Sequence, residues 1–141
     1  MKGVYTAVIT PFDKTGKIDF KSLEKILKEQ VEGGVSGIVA AGTTGEAATL
    51  TLDEKIDLFR FVIEKCPGLD IVAGTGSNNT EDSVKQTEAA LKTGINKVLI
   101  VTPYYNKPTA NGLIRHYSEI GKTGAEMILY NVPGRTGLNV A

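Results

Sequence analysis

The chain has 141 residues, in which sixteen basic and sixteen acidic side chains cancel to a formal net charge of zero. That balance leaves no basic footprint for nucleic acid or anionic lipid, and no apolar stretch nears the roughly 20 residues of a membrane span. A single cysteine, Cys66, excludes an intrachain disulfide and a cysteine-based metal site, and it reads as a buried or half-buried structural thiol.

In chain order, Met1-Lys2-Gly3-Val4 leads straight into a first apolar strand at residues 5–10. That leaves no room for a signal peptide and points to the cytoplasm. Asp19 is placed to cap a first helix, in which Phe20, Leu23, Ile26, Leu27 and Val31 make one stripe before Gly33-Gly34 ends it. A second strand, 37–41, opens into Gly42-Thr43-Thr44-Gly45-Glu46. Thr51-Leu52-Asp53-Glu54 has the form of a capping box and starts a second helix, with Ile56, Phe59 and Ile63 expected inside. A third strand, 71–73, gives way to Gly74-Thr75-Gly76. The third helix begins at Thr80, turns Val84, Thr87 and Leu91 inward, and stops at Gly94. Residues 98–101 form a fourth strand, followed by Thr102-Pro103-Tyr104-Tyr105. Thr109 begins a fourth helix with Leu113, Tyr117 and Ile120 on one face and an end near Gly121 or Gly124. The fifth strand, 127–129, runs into Tyr130-Asn131-Val132-Pro133-Gly134-Arg135.

The strand starts recur roughly every 30 residues, the length of a βα unit. The strands are continuous Val/Ile/Leu runs, as in parallel sheets covered on both faces. Polar loops gathered at the carboxyl ends of parallel strands are where α/β barrels place their active sites, and a closed barrel of eight units takes about 250 residues. The chain stops at Ala141, a few residues into what should be another helix. The expectation is an α/β fold, a partial (β/α)8 TIM barrel of strands 1–5 and helices 1–4, with residues 1–141 as the amino-terminal portion of a single domain.

The loops carry the chemistry. In Gly42-Thr43-Thr44-Gly45-Glu46 two glycines free the backbone for a tight turn whose N–H groups can converge on an anion, with two hydroxyls beside them. The carboxylate of a small keto acid suits such a nest, although threonine and glycine are also ordinary turn residues. Gly74-Thr75-Gly76 lacks the third glycine of a dinucleotide loop, and no acidic residue closes the next strand. Three of the five tyrosines, Tyr104, Tyr105 and Tyr130, lie at two strand ends. A phenol both donates and accepts, so phenols and a threonine hydroxyl can pass protons along a chain; tyrosines on a rim can equally be packing. Arg135, beyond Pro133-Gly134, offers a planar fork for a second carboxylate, or else is a solvated surface residue. His116, the only histidine, has no partner nearby in sequence and reads as structural.

The runs Thr6-Ala7-Val8-Ile9-Thr10-Pro11-Phe12, Gly42-Thr43-Thr44-Gly45-Glu46, Val101-Thr102-Pro103-Tyr104-Tyr105-Asn106-Lys107-Pro108 and Tyr130-Asn131-Val132-Pro133-Gly134-Arg135-Thr136-Gly137 together resemble the dihydrodipicolinate synthases. These enzymes, also called 4-hydroxy-tetrahydrodipicolinate synthases, belong to the N-acetylneuraminate lyase superfamily of class I aldolase barrels. The resemblance implies condensation of pyruvate with aspartate semialdehyde through a Schiff base on a lysine, without a cofactor or metal, in a homo-oligomer of the tetramer-of-dimers type. It implies that Thr44 and its backbone bind the pyruvate carboxylate. Thr43 would be the relay hydroxyl between Tyr130 of its own subunit and Tyr105 donated by a neighbour. Tyr130 would act in proton transfer beside the Schiff base, and Arg135 would support the relay and receive the carboxylate of the semialdehyde. Sialic-acid lyases and keto-deoxy-sugar aldolases generally carry a different residue at the position of Arg135.

One part of the pattern is missing. The family's Schiff-base lysine stands on the sixth strand, and no lysine here sits at a strand's carboxyl end: Lys97 opens a strand and Lys107 lies in a loop. The isolated 141-residue chain is therefore expected to be inactive. The alternatives are a non-catalytic, self-associating partial barrel, or another pyruvate-dependent aldolase of the same superfamily.

Overall fold

The computed structural model describes residues 1–140; residues 138–140, where the sequence suggests that a further helix has begun, are not helical, and Ala141 lies outside the described residues. Strands and helices alternate as β1 (Tyr5–Ala7), α1 (Phe20–Glu32), β2 (Gly37–Ala40), α2 (Leu52–Lys65), β3 (Asp70–Gly74), α3 (Thr80–Thr93), β4 (Lys97–Val101), α4 (Ala110–Gly121), β5 (Glu126–Tyr130) and α5 (Pro133–Thr136). The chain forms two compact units, Met1–Ala73 and Gly74–Ala141, with the boundary inside β3.

In the first unit β1 pairs with β2 and β2 with β3, all parallel, with Tyr5 beside Gly37 and Gly37 beside Asp70. Every residue of β2 is buried, which is why it reads as an unbroken apolar run. β1 is shorter than its apolar run suggests: the Val8 N–H still donates to the Val39 carbonyl, but Ile9 is exposed and Thr10 turns its hydroxyl to the loop after β2. Asp19 caps α1 by accepting from the N–H groups of Lys21 and Ser22, and Leu23 and Leu27 go inside. Val31, expected in that stripe, is 42% exposed. The capping box of Thr51 and Glu54 opens α2 as expected. Its inner row is Lys55, Leu58, Phe59 and Val62, so Ile56 and Ile63 flank the buried row, half-covered. Phe20 packs on Phe61 with ring centroids 4.8 Å apart, and Lys65 at the end of α2 reaches Glu24 of α1 at 2.9 Å. Cys66 is buried, as its composition suggested, and burial pushes its thiol pKa up, away from reactivity.

In the second unit β4 and β5 are parallel and in register from Lys97 beside Glu126 to Val101 beside Tyr130. Asn79 caps α3, and Gly94 ends it in the left-handed region at φ 100°. The buried face of α3 is Ser83, Thr87 and Ala90; Val84 and Leu91, expected inside, are half-covered. A pair of fully buried hydroxyls explains the difference, because Thr87 Oγ1 lies 2.9 Å from Thr75 Oγ1 and holds the small-residue face inward. Thr109 caps α4, which buries Leu113, His116 and Ile120. The short helix α5 stands where the sequence suggested only loop: Pro133 supplies its fixed φ at the first position and Gly137 ends it at φ 66°.

His116 takes the structural place expected of it. Its Nδ1 lies 2.9 Å from Thr80 Oγ1, joining the start of α3 to α4, and Nε2 has no hydrogen-bond partner among the described residues. Burial lowers its pKa below the ordinary histidine value. A histidine harder to protonate in the folded than in the unfolded chain makes the unfolded state the better proton binder, so stability is held above the unfolded pKa of about 6.5 and is lost as pH falls below it. The melting temperature is expected to drop on acidification through that window, above the range where the carboxylates titrate. The His116→Asn variant should show a flatter slope there; an unchanged slope would contradict this role.

Candidate active site

In the first unit the loop after β2 is shaped by two residues with positive φ, Ala41 at 51° and Glu46 at 57°. The N–H groups of Gly45 and Ala47 donate to the Gly42 carbonyl and that of Glu46 to the Thr43 carbonyl. The buried Thr10 donates its hydroxyl to the Gly45 carbonyl at 2.8 Å, pinning the loop from the end of the first strand run. A Cβ on Gly45 would lie 3.1 Å from both Thr10 Oγ1 and the Val8 carbonyl, so this close approach favours glycine. The nest is therefore narrower than the sequence suggests: the donors of Gly45 and Glu46 are used within the loop. Thr43 and Thr44 are exposed, and their N–H and hydroxyl groups make no intramolecular hydrogen bond among the described residues. Two adjacent peptide N–H groups with two hydroxyls are a suitable set for a small carboxylate.

The second unit holds the remaining sequence-selected residues. Tyr130 ends β5 and is half-buried. Its carbonyl accepts from both the N–H of Thr102, at 3.0 Å, and the Thr102 hydroxyl, at 3.1 Å. Tyr104 and Tyr105 follow β4. Asn78 Nδ2 and the Asn106 N–H both donate to the Tyr104 carbonyl, while Asn106 Nδ2 donates to the Asn78 carbonyl. This clamp holds Tyr105 in the left-handed region at φ 73°, with its side chain 90% exposed. A large aromatic held out on strained backbone suits contact with something other than its own unit. Arg135 lies in α5, exposed, after Pro133 and Gly134. Thr136 locks that turn, its hydroxyl donating toward the Val132 or Leu138 carbonyl and accepting from the Leu138 N–H.

Thr43 and Thr44 are thus adjacent in the first unit, while in the second Tyr105 follows β4, Tyr130 ends its partner β5 and Arg135 follows it. Thr10 and Thr102, which fix the two loops, stand in two of the runs that carry the resemblance, but the sequence assigned neither a role of its own. Gly76 is accounted for by packing, because a Cβ there would fall 2.4 Å from the Val101 nitrogen. No lysine among the described residues stands at the carboxyl end of a strand: Lys97 begins β4, Lys107 is exposed in the loop before α4, and Lys55 is buried on α2. No helix among the described residues is long and apolar enough to cross a membrane.

Residues 1–141 match the model of the dihydrodipicolinate synthetase family. A 4-hydroxy-tetrahydrodipicolinate synthase of Bacillus subtilis is 46% identical over 140 residues, covering 98% of this chain and 48% of the relative. Among solved structures, the 4-hydroxy-tetrahydrodipicolinate synthase of Methylacidiphilum fumariolicum is 45% identical with a TM-score of 0.96, over 100% of this chain and 47% of that one. A dihydrodipicolinate synthase of Acinetobacter baumannii, solved in complex with pyruvate, is also 45% identical, with a TM-score of 0.95 over 99% of this chain and 48% of that one. The chain spans about half the length of the curated relatives it matches. Its strands and helices are an α/β partial barrel, as the repeat of βα units suggests.

Proposed function

The chain belongs to the dihydrodipicolinate synthetase family, and from that premise we propose that it is the amino-terminal portion of a single-domain lyase that condenses pyruvate with aspartate semialdehyde in lysine biosynthesis. The observation that carries the reading is the unbroken match along the chain, 46% identical over 98% of its length to an enzyme so named.

Each site residue then has a task that its surroundings support. The open N–H and hydroxyl groups of Thr44 receive the carboxylate of pyruvate, an anion that the exposed loop can hold without competing intramolecular bonds. A lysine amine condenses with the pyruvate carbonyl, releasing water. Loss of a methyl proton gives an enamine, whose carbon attacks the aldehyde, and the new alkoxide takes up a proton. Thr43 and Tyr130 move these protons, since a hydroxyl and a phenol each give one proton while accepting another. Tyr105 completes the relay in a neighbouring copy, which accounts for a side chain 90% exposed on constrained backbone. Arg135 holds the carboxylate of the semialdehyde with its planar fork. The reading is a homo-oligomeric cytoplasmic enzyme acting on two small molecules, with no nucleic acid or membrane partner.

The Schiff-base lysine has no counterpart among the thirteen lysines of this sequence. A lysine needs a desolvated or charge-tuned pocket to be nucleophilic near neutral pH. The 141-residue polypeptide alone is accordingly inactive in this proposal. The whole protein, assayed with pyruvate and either aspartate semialdehyde or a sugar aldehyde, is expected to turn over only the former. Preference for the sugar aldehyde would make it another aldolase of the superfamily and contradict the role given to Arg135.

A further inference from the structure

We propose that Thr102 is a positioning residue for proton transfer, setting the direction of the Tyr130 side chain by holding its carbonyl with two donors. The inference rests on the assignment of Tyr130 to the reaction and adds a residue with no role so far. Thr102 is fully buried, directly after β4. Its backbone N–H donates to the Tyr130 carbonyl at 3.0 Å, continuing the parallel ladder that ends with Val101 beside Tyr130. The ladder explains that bond. It does not require the second one, from Oγ1 to the same carbonyl at 3.1 Å.

The second donor has a geometric consequence. Tyr130 is the last residue of β5, and the chain then turns into Asn131 and Val132 before α5. The ladder holds the carbonyl of this terminal strand residue by one bond, from the Thr102 N–H, about which the peptide plane can still rock. Two donors converging on its carbonyl fix the peptide plane on the carboxyl side, and with it the Cα–Cβ direction of the phenol. Tyr117 of α4 approaches Thr102 Oγ1 with its hydroxyl at 3.5 Å, at the outer limit of a hydrogen bond. Serine would keep the donor at this position. Valine would keep the shape and the backbone N–H but lose the donor.

The test uses the whole protein and four variants: Thr102→Val, Thr102→Ser, Tyr130→Phe and the double variant Thr102→Val with Tyr130→Phe. Thr102→Val is expected to lower kcat by about tenfold at little change in the pyruvate KM, since small misplacements of a reacting group cost rates of this order or more. Thr102→Ser should recover most of the loss. In the Tyr130→Phe background the valine should cost nothing further, because the group being aimed is gone. An unchanged kcat in Thr102→Val, or losses that multiply in the double variant, would overturn the inference while leaving the assignment of Tyr130 intact. Full activity in Tyr130→Phe would overturn both. Should the valine variant fold poorly, the serine variant alone decides: normal stability with a fall in kcat as large as that expected of valine contradicts a role that the serine hydroxyl preserves.

Discussion

Tyr130→Phe in the whole protein is expected to lower kcat by about 100- to 10,000-fold, the usual worth of a positioned acid–base group, while pyruvate affinity stays nearly unchanged. The substitution removes one oxygen. The ring remains, half-buried at the end of β5, and the backbone anchors from Thr102 do not involve the phenol. In the proposed relay, what is lost is the phenolic oxygen that gives a proton to the substrate while taking one from a neighbouring hydroxyl. A group made useful only in the transition state shows its loss in kcat rather than in KM. Steady-state kinetics with pyruvate varied at saturating semialdehyde check this directly. A raised KM with normal kcat would move Tyr130 from chemistry to binding.

Arg135→Ala should cut kcat/KM for aspartate semialdehyde by about 10- to 150-fold, the equivalent of about 1.5–3 kcal/mol for one charge-assisted contact. Pyruvate should be affected far less. Arg135 is exposed in α5, so its removal leaves no buried group unpaired and thermal stability should hold. Arg135→Lys should recover only part of the loss, because a lysine keeps the charge and loses the two-pronged geometry. A loss confined to pyruvate would reverse the assignment of the two carboxylate sites.

What the sequence disclosed well was local. The caps at Asp19 and at Thr51 with Glu54, and the glycine stop at Gly94, depend on residues within a few positions of each other, and all three formed. The inner rows of α2 and α3 were misjudged because burial there follows tertiary partners. Lys55 lies inside while Ile56 sits at the margin, and α3 turns small polar residues inward to meet Thr75. α5 spans only Pro133–Thr136, too short for any periodic signal, and Pro-Gly reads first as a turn. At the site, residue types in the loops pointed to carboxylate binding and proton transfer, yet the sequence could not show what holds the loops. Thr10 reaches Gly45 across 35 positions and Thr102 reaches Tyr130 across 28. Nor could it show Tyr105 held out at φ 73°, which depends on the Asn78 and Asn106 clamp.

The central claim is a Schiff-base aldolase whose nucleophilic lysine is not among residues 1–141. Borohydride reduction in the presence of pyruvate turns any imine into a stable secondary amine, and peptide mass mapping then finds the lysine that carried it. The whole protein should gain one pyruvate-derived adduct per subunit, on a lysine outside residues 1–141, and a polypeptide of residues 1–141 alone should gain none. A stoichiometric adduct on Lys97, Lys107 or any other lysine of this sequence, or no adduct on the whole protein, would contradict the account.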